Sequence, residues 1–513
     1  MSRKVKVFPA IYLDSVLQMA GTRAILEVEG VEWAAAAMAT AANIETLQSK
    51  GFERDQLPGA SANDLFIAVD AVDDEVAEKA IAVGEKKLFA GQTGEASTPG
   101  APREPRTIDE ATELQPGTNL AIVSVPGDYA AVEAHKALTT GLHVLLFSDN
   151  VPVDDEIELK DRGAHLGRLV MGPGAGTALL GGTGLGFANV VEPGRVGVVA
   201  AAGTGAQEVM SLLDRWGAGV SHVIGLGGRD LTEKVGGRMA KVAVEALRDD
   251  PGSEVILLVS KPPSERVARE IVGLAGKTPL VASLVGLKAE LQLPENVTVV
   301  TTLEEGVLET LRLLGLDLPD LNEQLAAGVE AAYADLAQER TLIRGLYSGG
   351  TLCYESLVIL SDLVGPVWSN VPLEDKYRVP APPGSHICLD VGEEEYTKGR
   401  PHPMIDPEAR MEFIREAGED ENVAVVLVDV VLGYGAHPDP AGELAPVCAE
   451  IAKGGGPRVV AYVLGTDHDP QGYERQQATL TDAGCIVTPT AARASCAAAA
   501  IALRKPDLVT VKP

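Results

Sequence analysis

The residues VGVVAAAGTGAQEVMSLLDRWG, from Val196 to Gly217, decide the fold class of this chain. A short apolar run, a Gly-Thr-Gly turn and an amphipathic segment follow one another without a break. An apolar run that ends in glycine and precedes helical spacing predicts a buried strand leading into a helix. When this unit is repeated along a chain, it builds a parallel sheet with helices on both faces.

The same strand-then-helix pattern recurs on both sides of this stretch. LAIVSVPG (Leu120–Gly127) and HVLLFSDN (His143–Asn150) precede it, while HICLDVGE (His386–Glu393) and VVLVDVVLG (Val425–Gly433) follow it. Nearly continuous apolar strands are typical of parallel sheets buried on both faces. We therefore expect an α/β protein made of serial doubly wound parallel sheets, preceded by a small α/β domain.

Breaks in the apolar pattern along the chain predict four domains. The segment from Ala90 to Thr107 is rich in Gly, Pro, Ser and Thr and has no apolar periodicity, which is typical of a linker. In the domain before it, strands are expected at Lys4–Phe8 and Asp64–Ala71, and Val31–Met38 is left open between strand and helix. The predicted boundaries are a small amino-terminal α/β domain at 1–90, a linker at 91–107, and doubly wound domains at 108–190, 191–338 and 339–513.

Charge and cysteine content narrow the class of protein. Asp and Glu total 73 against 43 Lys and Arg, which gives a net charge of −30 and disfavours binding to nucleic acids or anionic membrane surfaces. The start of the chain lacks the apolar stretch of a signal peptide, and no run reaches the length of a membrane span, so we expect a cytoplasmic protein. The cysteines form no CxxC pair, which predicts buried reduced thiols and no metal site. They are Cys353, Cys388, Cys448, Cys485 and Cys496.

Two glycine-rich turns between a strand and a helix are the candidate anion site. One contains Gly203, Thr204 and Gly205, and the other contains Gly349, Gly350 and Thr351. Such a turn leaves the first N–H groups of the helix unpaired beside the positive end of its dipole, so phosphate or carboxylate is the natural guest. A single turn of this kind also occurs for geometry alone, but two aimed at one point favour binding. Neither turn has the GxxxxGK[ST] or GxGxxG pattern of a nucleotide site.

Longer motifs carry a resemblance to known families. MGPGAGT at Met171–Thr177, the Gly203 turn and GVSHVIGLGGRDL at Gly219–Leu231 resemble the α-subunit of succinyl-CoA synthetases. YSGGTL and VVLVDVVLGYGA resemble the last domain of the β-subunit. The order of these parts, the linker, SKPP at Ser260–Pro263 and GRPHPMIDP at Gly399–Pro407 resemble the FdrA family over almost the whole chain. The resemblance implies a Rossmann-like CoA-binding domain followed by two flavodoxin-like domains.

Departures from succinyl-CoA synthetases shape the functional expectation. In those enzymes the phosphate passes through a histidine after the domain that holds the Ser-Gly-Thr turn, whereas this chain has no histidine between His222 and His386. The acidic partner of that histidine corresponds to Lys261. The Gly-rich loop that opens a CoA-binding domain has no match before Leu120, and an ATP-grasp half is missing. The resemblance therefore implies no phosphohistidine and no ATP site in this chain, and it leaves CoA as an unplaced possibility.

Polar residues near the turns are the candidate catalytic groups. Lys261 would offer a cation to a phosphate, carbamoyl phosphate or carboxylate substrate, or would be a surface lysine after a strand. Arg229 and Asp230 follow a glycine turn at a strand end, where α/β sheets bind ligands, or form a structural ion pair. Arg400 and His402 would supply a charge and a general acid or base, or belong to a rigid surface loop.

Two strand-end carboxylates remain open between two roles. Asp390 and Asp429 either bind Mg²⁺ or cap the next turn. No nucleophile–base pair occurs at a recognisable spacing, so the predicted catalytic residues are Lys261, Arg229 and His402. Asp230 and Arg400 are assigned with the two glycine turns to phosphate and substrate binding.

The FdrA resemblance implies carbamoyl transfer rather than CoA ligation. In that reading oxalurate and phosphate give oxamate and carbamoyl phosphate in purine and ureide nitrogen breakdown, with companion subunits in an oligomer. No cofactor is required, and the substrate is a small anion. One alternative is an acyl-CoA ligase that works with a separate ATP-grasp subunit. Another is a non-catalytic scaffold that binds anions and organises partner subunits.

Overall fold

The computed structural model describes residues 2–11, 13, 15–56, 60–61, 64–89, 105–289, 291–322, 325–398 and 400–510. The chain divides into two compact units. The first contains residues 1–104 and 394–401, and the second contains residues 105–393 and 402–513. None of the helices in the described ranges is long and apolar enough to span a bilayer.

The first unit is a small antiparallel sheet with helices. Its strands are hydrogen-bonded in the order β1-β3-β2, and both pairings are antiparallel. The stretch that the sequence left open, 31–38, is a strand because it pairs with the fully buried β3. The elements are β1 Ser2–Phe8, α1 Ser15–Leu26, β2 Val31–Met38, α2 Ala41–Ser49, β3 Leu65–Ala71 and α3 Asp74–Leu88.

The predicted linker falls mainly outside the described residues, since 90–104 are not among them. Its last residue, Thr107, accepts a hydrogen bond from the Glu110 backbone N–H at 3.1 Å and so caps the first helix of the second unit. The elements up to the first glycine-rich turn are α4 Ile108–Leu114, β4 Leu120–Val123, α5 Gly127–Thr139, β5 His143–Leu146, α6 Val153–Leu166, β6 Val170–Met171, β7 Thr177–Leu180, β8 Thr183–Gly186 and β9 Pro193–Ala201.

The rest of the chain alternates strands and helices in the predicted manner. From the first turn to the second, the elements are α7 Gly203–Arg215, β10 Val220–Gly225, α8 Arg238–Asp249, β11 Val255–Ser260, α9 Glu265–Val272, β12 Leu280–Leu284, β13 Val297–Val300, α10 Leu303–Leu313, α11 Leu325–Ala334 and β14 Leu342–Tyr347. They continue with α12 Gly350–Val364, β15 Val367–Trp368, β16 His386–Asp390, α13 Glu394–Thr397, α14 Glu408–Glu419, β17 Val423–Val431, α15 Pro440–Ala452, β18 Arg458–Leu464, α16 Tyr473–Asp482, β19 Ile486–Thr488 and α17 Ala491–Leu503.

Three sheets organise the second unit, and the expected α/β class is confirmed. A three-stranded parallel sheet has the order β4-β5-β6. A seven-stranded sheet has the order β13-β12-β11-β9-β10-β7-β8, and a six-stranded parallel sheet has the order β15-β16-β14-β17-β18-β19. Strands β9, β11, β14 and β17 lie inside their sheets, so their carboxyl ends are the natural places for a binding site.

The sequence did not predict the β7–β8 hairpin. These strands pair with each other in antiparallel fashion, and β7 also pairs antiparallel with β10. The hairpin turns at Gly181 and Gly182, whose φ angles of 56° and 81° are in the left-handed region that favours glycine. The seven-stranded sheet therefore begins at Thr177, before the position 191 at which the sequence analysis begins the corresponding domain.

Helices α7 and α12 pack between the two larger sheets and bury two carboxyl groups. Glu208 of α7 accepts a hydrogen bond from the Tyr462 hydroxyl at 2.5 Å, and burial raises its pKa to about 7. Glu355 of α12 accepts a hydrogen bond from the Leu303 N–H at 2.6 Å. Burial and neighbouring acids raise the pKa of Glu355 to about 8, although this hydrogen bond acts in the opposite direction. The second oxygen of Glu355 is buried without a hydrogen-bond partner. A neutral carboxyl group fits this environment better than a charged one.

We expect Glu355→Gln to make unfolding less sensitive to pH. The folded pKa of Glu355 is above that of an unfolded glutamate, so its stabilising contribution is complete below about pH 4 and is lost as the pH rises through about 8. Relative to the natural chain, the variant should gain about 1–2 kcal/mol of unfolding free energy between about pH 6 and about pH 8.5. Urea denaturation at the two pH values measures this difference. Glu443→Gln, at an exposed position on α15, is the control, and an equal gain there would contradict the assignment.

Candidate functional site

The two glycine-rich turns meet in the structure. The Thr351 backbone N–H donates a hydrogen bond to Thr204 Oγ1 at 3.2 Å, which joins the start of α12 to the start of α7. A Cβ added at Gly205 would lie 2.9 Å from Thr351 Cγ2, and one added at Gly349 would lie 2.8 Å from Thr204 Cγ2. These distances are shorter than carbon atoms tolerate, so glycine is required here for the two helix ends to approach each other.

Neither helix is capped by the side chain of the residue that precedes it, although Thr204 and Asp429 accept from N–H groups at the start of α12. The residue before α7 is Ala202 and the residue before α12 is Gly349, and neither makes a side-chain capping hydrogen bond. The first N–H groups of a helix point out of its end, where the dipole adds a partial positive charge. Because Thr204 Oγ1 already accepts from Thr351, its own hydrogen is available to a ligand. Two helix starts at one junction form a good cradle for a small anion.

Asp429 holds the second turn in place. Its carboxylate accepts hydrogen bonds from the Ser348 N–H at 2.8 Å and the Gly349 N–H at 2.9 Å, and it forms an ion pair with the buried Arg410 at 3.0 Å. Of the two roles left open for this residue, capping of the turn is the one that the structure contains. Because its oxygens already accept from these donors, Asp429 fixes the orientation of the second glycine-rich turn.

Lys261 lies beside both helix starts. Its strand β11 runs parallel to β9 with Ser260 opposite Ala201, so Lys261 emerges next to the start of α7. Its Nζ atom also lies 5.4 Å from the centre of the Tyr354 ring on α12, within the range of a cation–π contact. The side chain is half-buried, and the described residues include no carboxylate within ion-pair distance of it. This placement brings the predicted cation to the glycine turns.

Asp390, the other strand-end carboxylate left open between two roles, accepts from the Gly392 N–H at 3.0 Å and so caps the turn that follows its strand. It ends β16, which pairs with β14 so that Asp390 is opposite Tyr347, one residue before the second turn begins. The side chain is 3% exposed. Burial and the charge of Glu393 raise its pKa to about 7, although Lys261 acts in the opposite direction. The available signal was an acid at a strand end, but the order of strands in the sheet was needed to place it.

The His402 side chain lies near Asp390 and is uncharged near neutral pH. A Cβ at Gly392 would lie 2.6 Å from His402 Nε2 and 3.1 Å from Asp390 Oδ1, so both side chains border Gly392. The Met404 N–H donates to His402 Nδ1 at 3.2 Å, which places the ring hydrogen on Nε2. Burial lowers the pKa of His402 to about 4, so the ring is uncharged near neutral pH. The expectation that it titrates near neutral pH is therefore wrong, because the ring is desolvated.

The structure does not bring Arg229 and Asp230 to the turns as free binding groups. Asp230 is fully buried, bonded to Lys160 Nζ at 2.8 Å, and accepts from the Ala240 N–H at 2.9 Å at the start of α8. Arg229 pairs with Glu156 at 2.9 Å, and Glu156 in turn pairs with Lys160. The alternative, a structural ion pair, holds for each residue, but with Glu156 and Lys160 as partners and not between Arg229 and Asp230. Because Glu156 also pairs with Lys160, the two pairs form one network, of which Arg229 is the partly exposed member.

Arg400 and His402 are two residues apart in sequence but belong to different units. Arg400 lies in the 394–401 segment of the first unit, where its N–H donates to the Thr397 carbonyl at 3.1 Å. His402 belongs to the second unit together with the glycine turns. All five cysteine side chains are buried and unbonded, as expected of reduced structural thiols.

Part of the second unit is similar to CoA ligases. The CoA-ligase family model matches residues 346–501, and the model of the AllF heavy metal-associated domain matches residues 1–104. Protein YahF of Escherichia coli (strain K12) is 38% identical over 504 residues, which cover 95% of this chain and 96% of YahF. The chain belongs to the family of YahF, an FdrA-type fusion of succinyl-CoA synthetase-like parts.

More distant relatives match only part of the chain. The α-subunit of the ADP-forming succinate–CoA ligase of Methanothermobacter thermautotrophicus is 27% identical over 158 residues, 30% of this chain and 52% of that subunit. An ATP citrate lyase from Methanothrix soehngenii, solved with citrate and coenzyme A, aligns with 42% of this chain and 39% of its own at 18% identity and a TM-score of 0.31. That superposition is too weak to support an inference about function.

The two family models imply a heavy metal in the first unit and CoA in the second, and the residues at the expected places fit neither group. Residues 1–104 contain no cysteine and no histidine, the ligands that soft heavy metals prefer. A CoA phosphate would need free N–H groups at the first strand–helix turn of the second unit. This turn begins at Gly127, which lies against the backbone oxygens of Asp149 and Asn150. These two backbone oxygens lie 2.5 and 2.6 Å from the position that a Cβ at Gly127 would take, so they fill the space on this side of the turn. The first turn of the helix that follows also carries Asp128. We therefore assign no metal to the first unit and no CoA phosphate to this turn.

We expect Asp230→Asn to destabilise the chain without changing anion binding. The substitution leaves the buried Lys160 with one fewer carboxylate, and breaking a buried ion pair costs about 3–5 kcal/mol of unfolding free energy. Asp161→Asn, which removes the exposed partner of Arg238, is the control and should cost about 1 kcal/mol or less. Urea denaturation measures both changes, and calorimetric titration with phosphate measures binding. Loss of phosphate affinity in folded Asp230→Asn would return Asp230 to the substrate site.

Proposed function

We propose that this chain catalyses phosphate-dependent carbamoyl transfer, in which oxalurate and phosphate give oxamate and carbamoyl phosphate. The observation that carries the proposal is the junction of α7 and α12, where Thr204 accepts from Thr351 between two helix starts. A small anion held there would be in contact with backbone N–H groups from both halves of the second unit. Membership of the FdrA-type family supports the carbamoyl substrate class.

The chemistry suits a fixed positive environment. When a phosphate oxygen attacks the ureido carbonyl carbon, negative charge develops on the carbonyl oxygen and three charges from the two reactants are brought together. Helix N-termini and a lysine stabilise such charge without having to reorganise during the reaction. Lys261 is the cation at this junction, placed beside α7 by strand pairing and beside α12 by Tyr354. No step requires an oxidant, a metal or a nucleotide.

A covalent phosphohistidine is not part of this proposal. The segment between His222 and His386 contains no histidine, although the succinyl-CoA synthetase resemblance implies a carrier there. His402 borders the site, but its Nδ1 accepts from the Met404 N–H and it is neutral. In our proposal the neutral Nε2–H donates a hydrogen bond, which suits substrate positioning better than phosphate transfer.

The second candidate function is an acid–thiol ligase that works with a separate ATP-grasp subunit. The CoA-ligase model over residues 346–501 and the partial similarity to succinate–CoA ligase subunits favour it. The closed turn at Gly127 is the observation against it. Companion subunits and an oligomeric assembly belong to both proposals, and a purely anion-binding scaffold is the outcome if neither reaction occurs.

The deciding experiment compares the two reactions on the same preparation. The chain is purified together with the subunits encoded beside it and assayed for carbamoyl phosphate formation from oxalurate and phosphate. In parallel, it is assayed for thioester formation from succinate, CoA and ATP. We expect the first activity and no acid-labile phosphate on the chain after incubation with labelled carbamoyl phosphate. Thioester formation, or label on His402, would overturn the proposal in favour of the ligase.

We expect Lys261→Met to lower kcat/KM for oxalurate phosphorolysis by about 10²-fold or more, because the charge contact strengthens in the transition state. Methionine keeps an apolar stem against Tyr354 while removing the charge. Lys277→Met, at an exposed lysine of the same unit, is the matched control and should retain the natural rate. Near-natural turnover in folded Lys261→Met would show that this lysine is outside the reaction.

A further inference from the structure

Asp390 is aimed at the start of α12. Its Oδ1 accepts a hydrogen bond from the Gly392 N–H at 3.0 Å, and its Oδ2 lies 2.4 Å from the position that a Cβ at Gly350 would take. Oδ2 lies against Gly350, the first residue of α12, in the space that a Cβ would fill. Asp390 is 3% exposed, and a buried carboxyl group pointed at the first residue of a helix is well placed to share the ligand of that helix.

The charges around Asp390 come from its own loop and from two other strands. Lys261 faces it from the end of β11 and favours its charged form, while Glu393, from its own loop, and Asp429, from β17, disfavour that form. His402 borders it without charge. The buried Cys353 on α12 is held neutral because burial and the charge of Asp390 raise the pKa of the thiol far above its usual value. Asp390 thus exists in both protonation states near neutral pH.

We propose that Asp390 contacts the bound anion through one shared proton and that, in the reaction, it passes this proton from the attacking phosphate to the leaving nitrogen. The contact with an anion stands on the geometry of Oδ2 and Gly350. The proton transfer rests on the proposed function. Asp390 adds to the cradle a group that can accept and release a proton near neutral pH.

The proton balance of the proposed reaction calls for such a group. Oxalurate and HPO₄²⁻ carry three negative charges, and so do oxamate and carbamoyl phosphate, so no net proton is taken up or released. A phosphate oxygen forms a bond to the ureido carbon, and the bond from that carbon to the oxamate nitrogen breaks. Asp390 accepts the phosphate proton as the first bond forms and donates it to the nitrogen as the second breaks. The carboxylate is regenerated in each cycle.

Sulfate is the sharpest probe of the contact because it stays a dianion and brings no proton. Sulfate should therefore bind well only when Asp390 is protonated. In calorimetric titrations of the full chain, we expect the sulfate Kd to rise by at least about tenfold between about pH 6 and about pH 8.5. The Kd of phosphate, which carries its own proton, should rise much less.

Two variants separate Asp390 from its surroundings. Asp390→Asn keeps a hydrogen-bond donor at every pH, so its sulfate Kd should match that of the natural chain at about pH 6 and stay constant to about pH 8.5. Glu393→Gln removes a charge that raises the pKa of Asp390, so the fall in sulfate affinity should begin at lower pH. A sulfate Kd that is independent of pH in the natural chain, or a full pH dependence retained in Asp390→Asn, would overturn the contact.

Turnover tests the proton transfer separately. In the assembly with its companion subunits, Asp390→Asn should lower kcat for oxalurate phosphorolysis by about 10²-fold or more while the KM for phosphate changes little. A variant with normal kcat would overturn the proton transfer. If the natural assembly does not act on oxalurate, the proposed function and the proton transfer fail together, whereas the sulfate titrations still decide whether Asp390 contacts the anion.

Discussion

The hydrogen bond from the Thr351 N–H to Thr204 is the contact on which the second unit depends. It brings together two helix ends that carry the same partial positive charge, an arrangement that would be repulsive in isolation. Two features make it tolerable. The glycines on both sides allow the backbones to touch, and Asp390 and Asp429 place carboxyl groups at the start of α12. The positive ends are therefore held close by buried packing of α7 and α12 and partly balanced by acids, and this leaves a cradle that a ligand anion completes.

Much of this architecture follows from the sequence alone. The strand–glycine–helix units at Val196 and Leu342 were predicted because apolar runs bounded by glycine have few other solutions in a folded protein. The parallel sheets followed from the same pattern. The β7–β8 hairpin was missed because its strands, TALL and TGLG, are only four residues each and carry no alternation that distinguishes them from a loop.

The site was harder to predict than the fold. Lys261 could be proposed because it follows a strand directly and differs from the acid that the family resemblance implies there. Arg229 and Asp230 follow a strand in the same way, yet they are held in a network with Lys160 and Glu156. Nothing in the local sequence separates the two cases, since Lys160, the cation that pairs with Asp230, is 70 residues away. Sheet order and burial, which only the folded chain supplies, decide which strand-end charge is free to meet a ligand.

The linkage of α7 and α12 within one polypeptide has a consequence for how the site forms. If the two helices belonged to separate chains, the cradle would exist only in the associated fraction and would be lost on dilution. In a single chain the association of the two helices is intramolecular. The effective concentration of one helix at the other is then set by the length of chain between them. The segment between α11 and β14 is short, so the two halves remain at close range at every protein concentration. Dilution can therefore separate this chain from other subunits, but it cannot take apart the junction of Thr204 and Thr351.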